Sequence, residues 1–106
     1  MGYYTIRISP SSQDMTTIVT EVGKFRYNIL PMGMCASEAI FQANVDKLFC
    51  EIKGVKTHIT DILVLIKDFF KNHIEKLRII FGRLRTAGFK VYAPKCSFGL
   101  KEITYL

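Results

Sequence analysis

Two segments of the sequence repeat apolar residues at three- and four-residue spacing, and this helical period is the feature that most constrains the fold. The first helix is predicted to begin near Ser37, a good N-cap, with Glu38 favoured in its first turn, and to stop at Gly54. The second is predicted to follow Asp68 as its cap and to end at Gly88. The apolar stripes expected to be buried are Ile40, Phe41, Val45, Leu48, Phe49 and Ile52, then Phe70, Ile74, Leu77, Phe81 and Leu84.

Short runs with strand character surround the two predicted helices. Residues 3–8 alternate apolar and polar side chains, and residues 10–14 are a loop by composition. The predicted strands are residues 3–8, 15–22, 24–30, 55–59, 62–66, 89–92 and 103–106. The five aliphatic residues 62–66 lack polar alternation, so this strand is expected to be covered on both faces. The order predicts an α+β fold, with two helices packed on one face of an antiparallel sheet.

The charge of the chain favours a polyanionic partner. At 106 residues the chain is expected to form a single ordered domain. Fifteen Lys and Arg against nine Asp and Glu give a net charge of +6, which suits nucleic acid better than a membrane. The alternative is a basic surface that is simply solvated.

Three widely separated cysteines, Cys35, Cys50 and Cys96, show neither paired nor metal-ligand spacing. They are predicted to be reduced in an intracellular protein. The longest aliphatic run, residues 62–66, is far too short to span a bilayer, so no membrane partner is expected.

The turn of the second predicted hairpin, Thr60-Asp61, has unfavourable local chemistry, because two-residue turns prefer Asn-Gly or Asp-Gly. A poor turn between two strong strands indicates that the position serves another purpose. A carboxylate at the tip of a rigid hairpin is reachable from solvent, as a Mg²⁺ ligand must be. The alternative is a turn aspartate without a function. His58 and His73 fall on different predicted elements, which favours packing or surface roles over a metal site.

Several segments occur in the order and spacing of known motifs. They read GYYTIRI at 2–8, LPMGMCASEAIFQ at 30–42, HITDILVL at 58–65, HIEKLR at 73–78, LRTAG at 84–88 and KCSFG at 95–99. Together they resemble the reverse transcriptases of gypsy-type LTR retrotransposons over essentially the whole chain.

The resemblance implies a partial reverse transcriptase domain over residues 1–106, a palm with part of the fingers. It implies RNA-directed DNA synthesis by phosphoryl transfer, with two Mg²⁺ ions, an RNA or DNA template–primer and dNTPs. An intact enzyme would also contain the remaining fingers, the thumb and RNase H of a Pol polyprotein. The implied location is cytoplasmic, in a retrotransposon particle, with the nucleus as a further compartment.

The resemblance also assigns roles to individual residues. Asp61 corresponds to a catalytic metal ligand, and Lys95 lies where a lysine can protonate the leaving pyrophosphate. Tyr3 corresponds to the ring that excludes a ribose 2′-hydroxyl. Met32, Gly33 and Gln42 lie in the segment that contacts dNTP and template–primer. The alternatives are a half-buried strand tyrosine for Tyr3, a turn glycine for Gly33 and a surface or phosphate-contacting lysine for Lys95.

Several positions depart from the family pattern. Thr60 replaces the first residue of the Asp-Asp pair and His58 replaces the preceding tyrosine, so both are degenerate motif positions. Glu38 stands in place of a proline, and Met32 in place of a phenylalanine. The first metal aspartate would lie three residues before Met1. The isolated chain is therefore expected to be inactive. The alternative interpretations are that the chain is a non-catalytic, basic nucleic-acid-binding α+β module, or an inert remnant.

Overall fold

The computed structural model describes residues 2–105 and confirms the α+β class. The helices are α1 Pro10–Gln13, α2 Ser37–Phe49 and α3 Phe70–Thr86, and the strands are β1 Ile18–Thr20, β2 Gly23–Phe25, β3 Val55–His58 and β4 Asp61–Val64. Single 3-10 turns lie at Gly2–Thr5, Asp14–Thr16 and Ala93–Lys95. Within the described residues the strands form two antiparallel hairpins, β1–β2 and β3–β4.

The chain divides into two compact units, Met1–Phe41 and Gln42–Leu106. In the first, Tyr3, Leu30 and Phe41 are buried. In the second, the buried apolar side chains come from α2 and α3, and they are Val45, Phe49, Ile80 and Leu84. Among the described residues, no helix is both long enough and apolar enough to cross a bilayer.

The predicted hairpin around Gly23 is confirmed, although its strands are shorter than expected. β1 pairs with β2 in the register Ile18↔Phe25, Val19↔Lys24 and Thr20↔Gly23. The side chains of both strands are exposed, so little apolar burial extends the pairing.

The predicted strand at residues 3–8 is wrong. Residues Gly2–Thr5 form a 3-10 turn, closed by the Thr5 hydroxyl donating to the carbonyl oxygen of Gly2 at 2.7 Å. Only Arg7 makes a β-bridge, antiparallel to Ile29. The predicted loop at residues 10–14 is also wrong, because Pro10 occupies the first turn of α1, where its fixed φ favours a helix.

Helix α2 begins at Ser37 as predicted, but Ser37 is not its N-cap. The Ile40 N–H already donates to the Ala36 carbonyl, so Ser37 lies inside the first turn. Ser37 is 1% exposed, and its hydroxyl donates to the carbonyl oxygen of Pro31 at 2.6 Å. The helix ends at Phe49, several residues before Gly54.

Helix α3 begins without its predicted cap, and its buried face is rotated from the predicted stripe. Phe69 occupies the N-cap position and makes no side-chain cap, so the prediction for Asp68 is wrong. Ile80 is 3% exposed, whereas the predicted core residues Phe70 and Phe81 are 65% and 40% exposed. Leu84 is buried as predicted.

Two basic side chains explain the rotation of α3. Arg83 donates from Nη1 to the Leu48 carbonyl at 2.6 Å and from Nη2 to Glu51 at 3.3 Å. Lys76 donates from Nζ to the Lys53 carbonyl at 2.6 Å. Leu48 lies in the last turn of α2, whose carbonyls lack partners within the helix, and Lys53 lies in the segment that follows. Both cations lie on the same face of α3 as Ile80.

The end of α3 follows the sequence prediction. Gly88 has φ +79°, its N–H donates to the Arg85 carbonyl, and the Phe89 N–H donates to the Leu84 carbonyl. This pair of hydrogen bonds is a Schellman motif, in which a left-handed residue closes the helix.

The two strands predicted after α3 are wrong within the described residues. Residues 89–92 and 103–105 form no strand, and Leu106 lies outside the described residues. A 3-10 turn at Ala93–Lys95 interrupts the region, because Pro94 cannot donate to a strand ladder and its fixed φ suits a turn.

Gly54 is expected to be essential at the base of the β3–β4 hairpin. Its φ is +78°, and a Cβ there would lie 2.6 Å from the Leu65 carbonyl oxygen. Gly54→Ala should lower the free energy of unfolding by about 2–3 kcal/mol, through left-handed strain and this clash. Gly88→Ala is the matched control, because its φ is +79° and its added Cβ meets nothing within 4 Å.

Urea denaturation followed by circular dichroism measures both glycine variants. The difference between the losses of unfolding free energy in Gly54→Ala and Gly88→Ala measures the cost of the contact with the Leu65 carbonyl. Equal losses in the two variants would show that the clash is relieved at no cost.

Candidate functional site

The β3–β4 hairpin carries the three motif residues His58, Thr60 and Asp61. Its register pairs Val55↔Val64, Lys56↔Leu63, Thr57↔Ile62 and His58↔Asp61. The turn therefore consists of Ile59 and Thr60, and the prediction of a Thr60-Asp61 turn is wrong by one residue. Asp61 is the first residue of β4, directly opposite His58. The strand places its exposed carboxylate beside the turn.

Within residues 2–105, the strand predicted at 62–66 is not covered on both faces as expected. Ile62, Leu63 and Val64 are half-buried, and Leu65 is exposed. The aliphatic character of the strand therefore exceeds what the described residues bury.

Ile59 has φ +49°, the only positive value among the non-glycine residues described. Such a backbone is a marked outlier for a β-branched side chain. Gln42 holds this position from helix α2: its Oε1 accepts a hydrogen bond from the Ile59 N–H. Its Nε2 donates to the Thr57 hydroxyl at 3.0 Å. Gln42, predicted from resemblance to contact template–primer, thus fixes the hairpin turn.

Tyr105 interacts electrostatically with Asp61, which the sequence did not indicate. Burial raises the pKa of the Tyr105 phenol, and the negative charge of Asp61 raises it further. The Tyr105 hydroxyl oxygen is buried without a hydrogen-bond partner among the described residues. The sequence did not indicate this interaction, because residues 103–106 were predicted as a strand within a segment that resembles the strand pair gripping the primer end.

The donor set at the hairpin tip does not fit a two-metal site. Within residues 2–105, no three His, Cys, Asp or Glu side chains come together as metal ligands. The threonine at position 60 is uncharged at physiological pH and offers only a weak hydroxyl ligand. Asp61 is thus the single carboxylate of the motif.

The first unit holds the other predicted dNTP-contacting residues. Tyr3 is 8% exposed and stacks on Phe41, with ring centroids 4.6 Å apart. Met32 is exposed, and Gly33 has φ +90° with open space where a Cβ would be. Gly33 thus occupies a backbone conformation that favours glycine, as expected for a turn glycine.

The second unit holds Lys95 as well as the hairpin. Lys95 ends the 3-10 turn Ala93–Lys95, where its N–H donates to the Tyr92 carbonyl at 3.1 Å. Its side chain is exposed. His58 lies in β3 and His73 in α3, on different elements as predicted.

Comparisons with known proteins identify the family. Residues 1–106 match the reverse transcriptase (RNA-dependent DNA polymerase) family. The retrovirus-related Pol polyprotein from transposon 412 of Drosophila melanogaster is 29% identical over 106 residues, which cover 99% of this chain and 9% of that protein. The chain thus spans less than a tenth of this relative.

Solved structures agree with the sequence comparison. The structure of the foamy viral protease–reverse transcriptase in complex with dsDNA is similar to this chain, with a TM-score of 0.87 and 28% sequence identity. The match covers 99% of this chain and 22% of the foamy viral chain. The foamy viral enzyme in complex with an RNA/DNA hybrid is similar with a TM-score of 0.74 and 28% sequence identity. That match covers 81% of this chain and 12% of the foamy viral chain. The predicted resemblance is confirmed at the level of reverse transcriptases, while the gypsy type stays a prediction. The chain belongs to the reverse transcriptase family.

Proposed function

We propose that this chain is the palm, with part of the fingers, of a retrotransposon reverse transcriptase of the gypsy type. In a longer Pol polyprotein it would contribute to RNA-directed DNA synthesis. The observation that carries the proposal is the likeness to the foamy viral enzyme over 99% of the chain, at a TM-score of 0.87. That enzyme was solved with dsDNA and with an RNA/DNA hybrid.

The proposed partners follow from this likeness. They are an RNA or DNA template–primer, a dNTP and the remaining fingers, thumb and RNase H of the polyprotein. The net charge of +6 supports a polyanionic partner. The proposed location is the cytoplasm, within a retrotransposon particle.

The proposed site roles are those implied by the family motifs. Asp61 would be a metal ligand and Lys95 a proton donor to pyrophosphate. Tyr3, Met32, Gly33 and Gln42 would line the dNTP and template–primer side. The exposed position of Asp61 beside a constrained turn supports its part in this scheme.

The reverse transcriptase family generally depends on divalent metal ions. Mg²⁺ is the ion implied for this chain, but one carboxylate does not make a two-metal site. Nucleic-acid binding rests on spread positive charge and does not need that site. We therefore propose that the isolated chain binds template–primer without extending it.

Binding of an RNA/DNA hybrid to the isolated chain tests the proposal. We expect a Kd of about micromolar or weaker, with little sequence preference and at least about a tenfold loss between roughly 50 and 200 mM salt. Fluorescence anisotropy with a labelled hybrid gives the affinity at each salt concentration.

Asp61→Ala is the control for this experiment and should bind as the parent does, because it removes no positive charge. An affinity that is independent of salt would contradict the electrostatic account. The absence of any binding at low salt would contradict the proposed function itself.

A further inference from the structure

The left-handed Ile59 needs an explanation from its surroundings. Backbone at φ +49° is disfavoured for a β-branched residue and persists only where neighbouring groups fix it. The residue lies in the two-residue turn that leads to Asp61. A relaxed turn would change the direction in which β4 begins.

One hydrogen-bond network reaches this turn from helix α2. The Gln42 amide accepts from the Ile59 N–H and donates from Nε2 to Asp46 Oδ1 at 2.8 Å. Gln42 and Asp46 are four residues apart, so they lie on one face of the helix. The Thr57 hydroxyl accepts from Gln42 Nε2 and donates to Asp46 Oδ1.

The Asp46 carboxylate, together with the Thr57 carbonyl oxygen 3.4 Å from Gln42 Nε2, sets the orientation of the Gln42 amide. A primary amide can present either its oxygen or its NH₂ group to a given neighbour. An ionised carboxylate only accepts, so it draws the Gln42 NH₂ and the Thr57 hydroxyl proton towards itself. The Gln42 oxygen is then left facing the Ile59 N–H, which is the orientation that the turn requires.

We propose that Asp46 is a positioning residue for the reverse transcriptase hairpin. It acts through Gln42 to hold Ile59 in its left-handed conformation. It thereby fixes the position of Asp61 at the start of β4. This inference rests on the proposed function, in which Asp61 is the surviving motif carboxylate. Asp46 is itself exposed, so its replacement removes little packing and its effect should be confined to the turn.

Hydrogen exchange and NMR on the full chain test this role. In Asp46→Asn, the Ile59 amide should exchange at least about tenfold faster than in the parent, because a carboxamide at position 46 can donate as well as accept and no longer dictates the Gln42 orientation. The strong intraresidue amide-to-α-proton NOE that a positive φ gives should weaken at Ile59. The amide shifts of Thr60 and Asp61 should move with it.

Two further variants separate positioning from a general loss of charge or structure. Glu38→Gln removes the same charge from the exposed start of α2 and should leave Ile59 unchanged. Asp46→Glu keeps an acceptor-only carboxylate and should keep most of the protection at Ile59. Amides in the β3–β4 ladder should remain protected in all three variants.

The proposal is overturned by an unchanged Ile59 amide in Asp46→Asn, or by an equal effect in Glu38→Gln. Loss of protection throughout β3–β4 would also overturn it, since Asp46 would then hold the hairpin as a whole. None of these measurements uses nucleic acid. A failed binding experiment would contradict the proposed function without changing the exchange of the Ile59 amide. An unchanged Ile59 amide would contradict the role of Asp46 without changing the binding result, so the two failures are distinguishable.

Discussion

Template-directed primer extension is expected only when two changes are combined in this chain. One is Thr60→Asp, and the other is an amino-terminal extension that places an aspartate five residues before Tyr3, where the family has its first metal ligand. Charge stabilisation by bound metal contributes several kcal/mol, and losing about 5 kcal/mol slows a reaction by roughly three to four powers of ten. Binding of two metal ions needs carboxylates from both the hairpin and the amino-terminal extension. The effects of the two changes on primer extension should therefore be strongly non-additive.

The stability of the same proteins should depend on Mg²⁺ in a matching way. Thr60→Asp places a second negative charge beside Asp61, so it should cost some stability without metal. Millimolar Mg²⁺ should recover the cost of Thr60→Asp only in the combined variant, because only that variant supplies enough ligands for binding to favour the folded state.

Four proteins suffice for the measurement: the parent, each single change and the combination. Each is melted with and without Mg²⁺ and assayed for extension of oligo(dT) on poly(rA) with Mg²⁺ or Mn²⁺. Asp61→Ala in the combined variant should abolish extension. Extension by the parent, or Mg²⁺-dependent stability and activity in Thr60→Asp alone, would contradict the proposed site.

Neighbouring residues of α3 should respond very differently to truncation. Ile80→Ala should lower the free energy of unfolding by about 2–5 kcal/mol, because it leaves a cavity around a side chain that is 3% exposed. Phe81→Ala removes a larger side chain, but one that is 40% exposed and makes a tilted contact with Phe98 at 6.2 Å between ring centroids. Its cost should be about 1 kcal/mol or less.

Urea denaturation of both variants checks this pair, with the slope of the unfolding free energy against urea as a control for two-state behaviour. The sequence stripe alone predicts the opposite order, since it included Phe81 and omitted Ile80. A larger loss of unfolding free energy in Phe81→Ala than in Ile80→Ala would support the apolar stripe predicted from the sequence. It would contradict the packing observed for α3.

Local chemistry in the sequence was enough to predict several parts of the fold. Helical spacing located α2 and α3, and Gly88 marked the end of α3 because a left-handed C′ residue favours glycine. Two hairpins were also recognisable from strand runs on either side of short turns. The order and spacing of the motifs were enough to identify the reverse transcriptase family.

The tertiary structure alone decided how these elements are oriented. Arg83 lies on the buried side of α3 with Ile80 and donates to the Leu48 carbonyl 35 residues away in the sequence. Apolar periodicity treats arginine as a solvent-facing residue. It therefore does not predict that Arg83 of α3 contacts a carbonyl in the last turn of α2.

The candidate site was decided in the same way. The hairpin turn lies at Ile59-Thr60 because Gln42, 17 residues earlier, accepts the Ile59 N–H and offsets an unfavourable local conformation. Turn propensity describes only the residues within the turn, and the placement of Asp61 depends on partners far along the chain. The sequence therefore supplied the candidate residues of the site as predictions, whereas their geometry depends on long-range hydrogen bonds and burial.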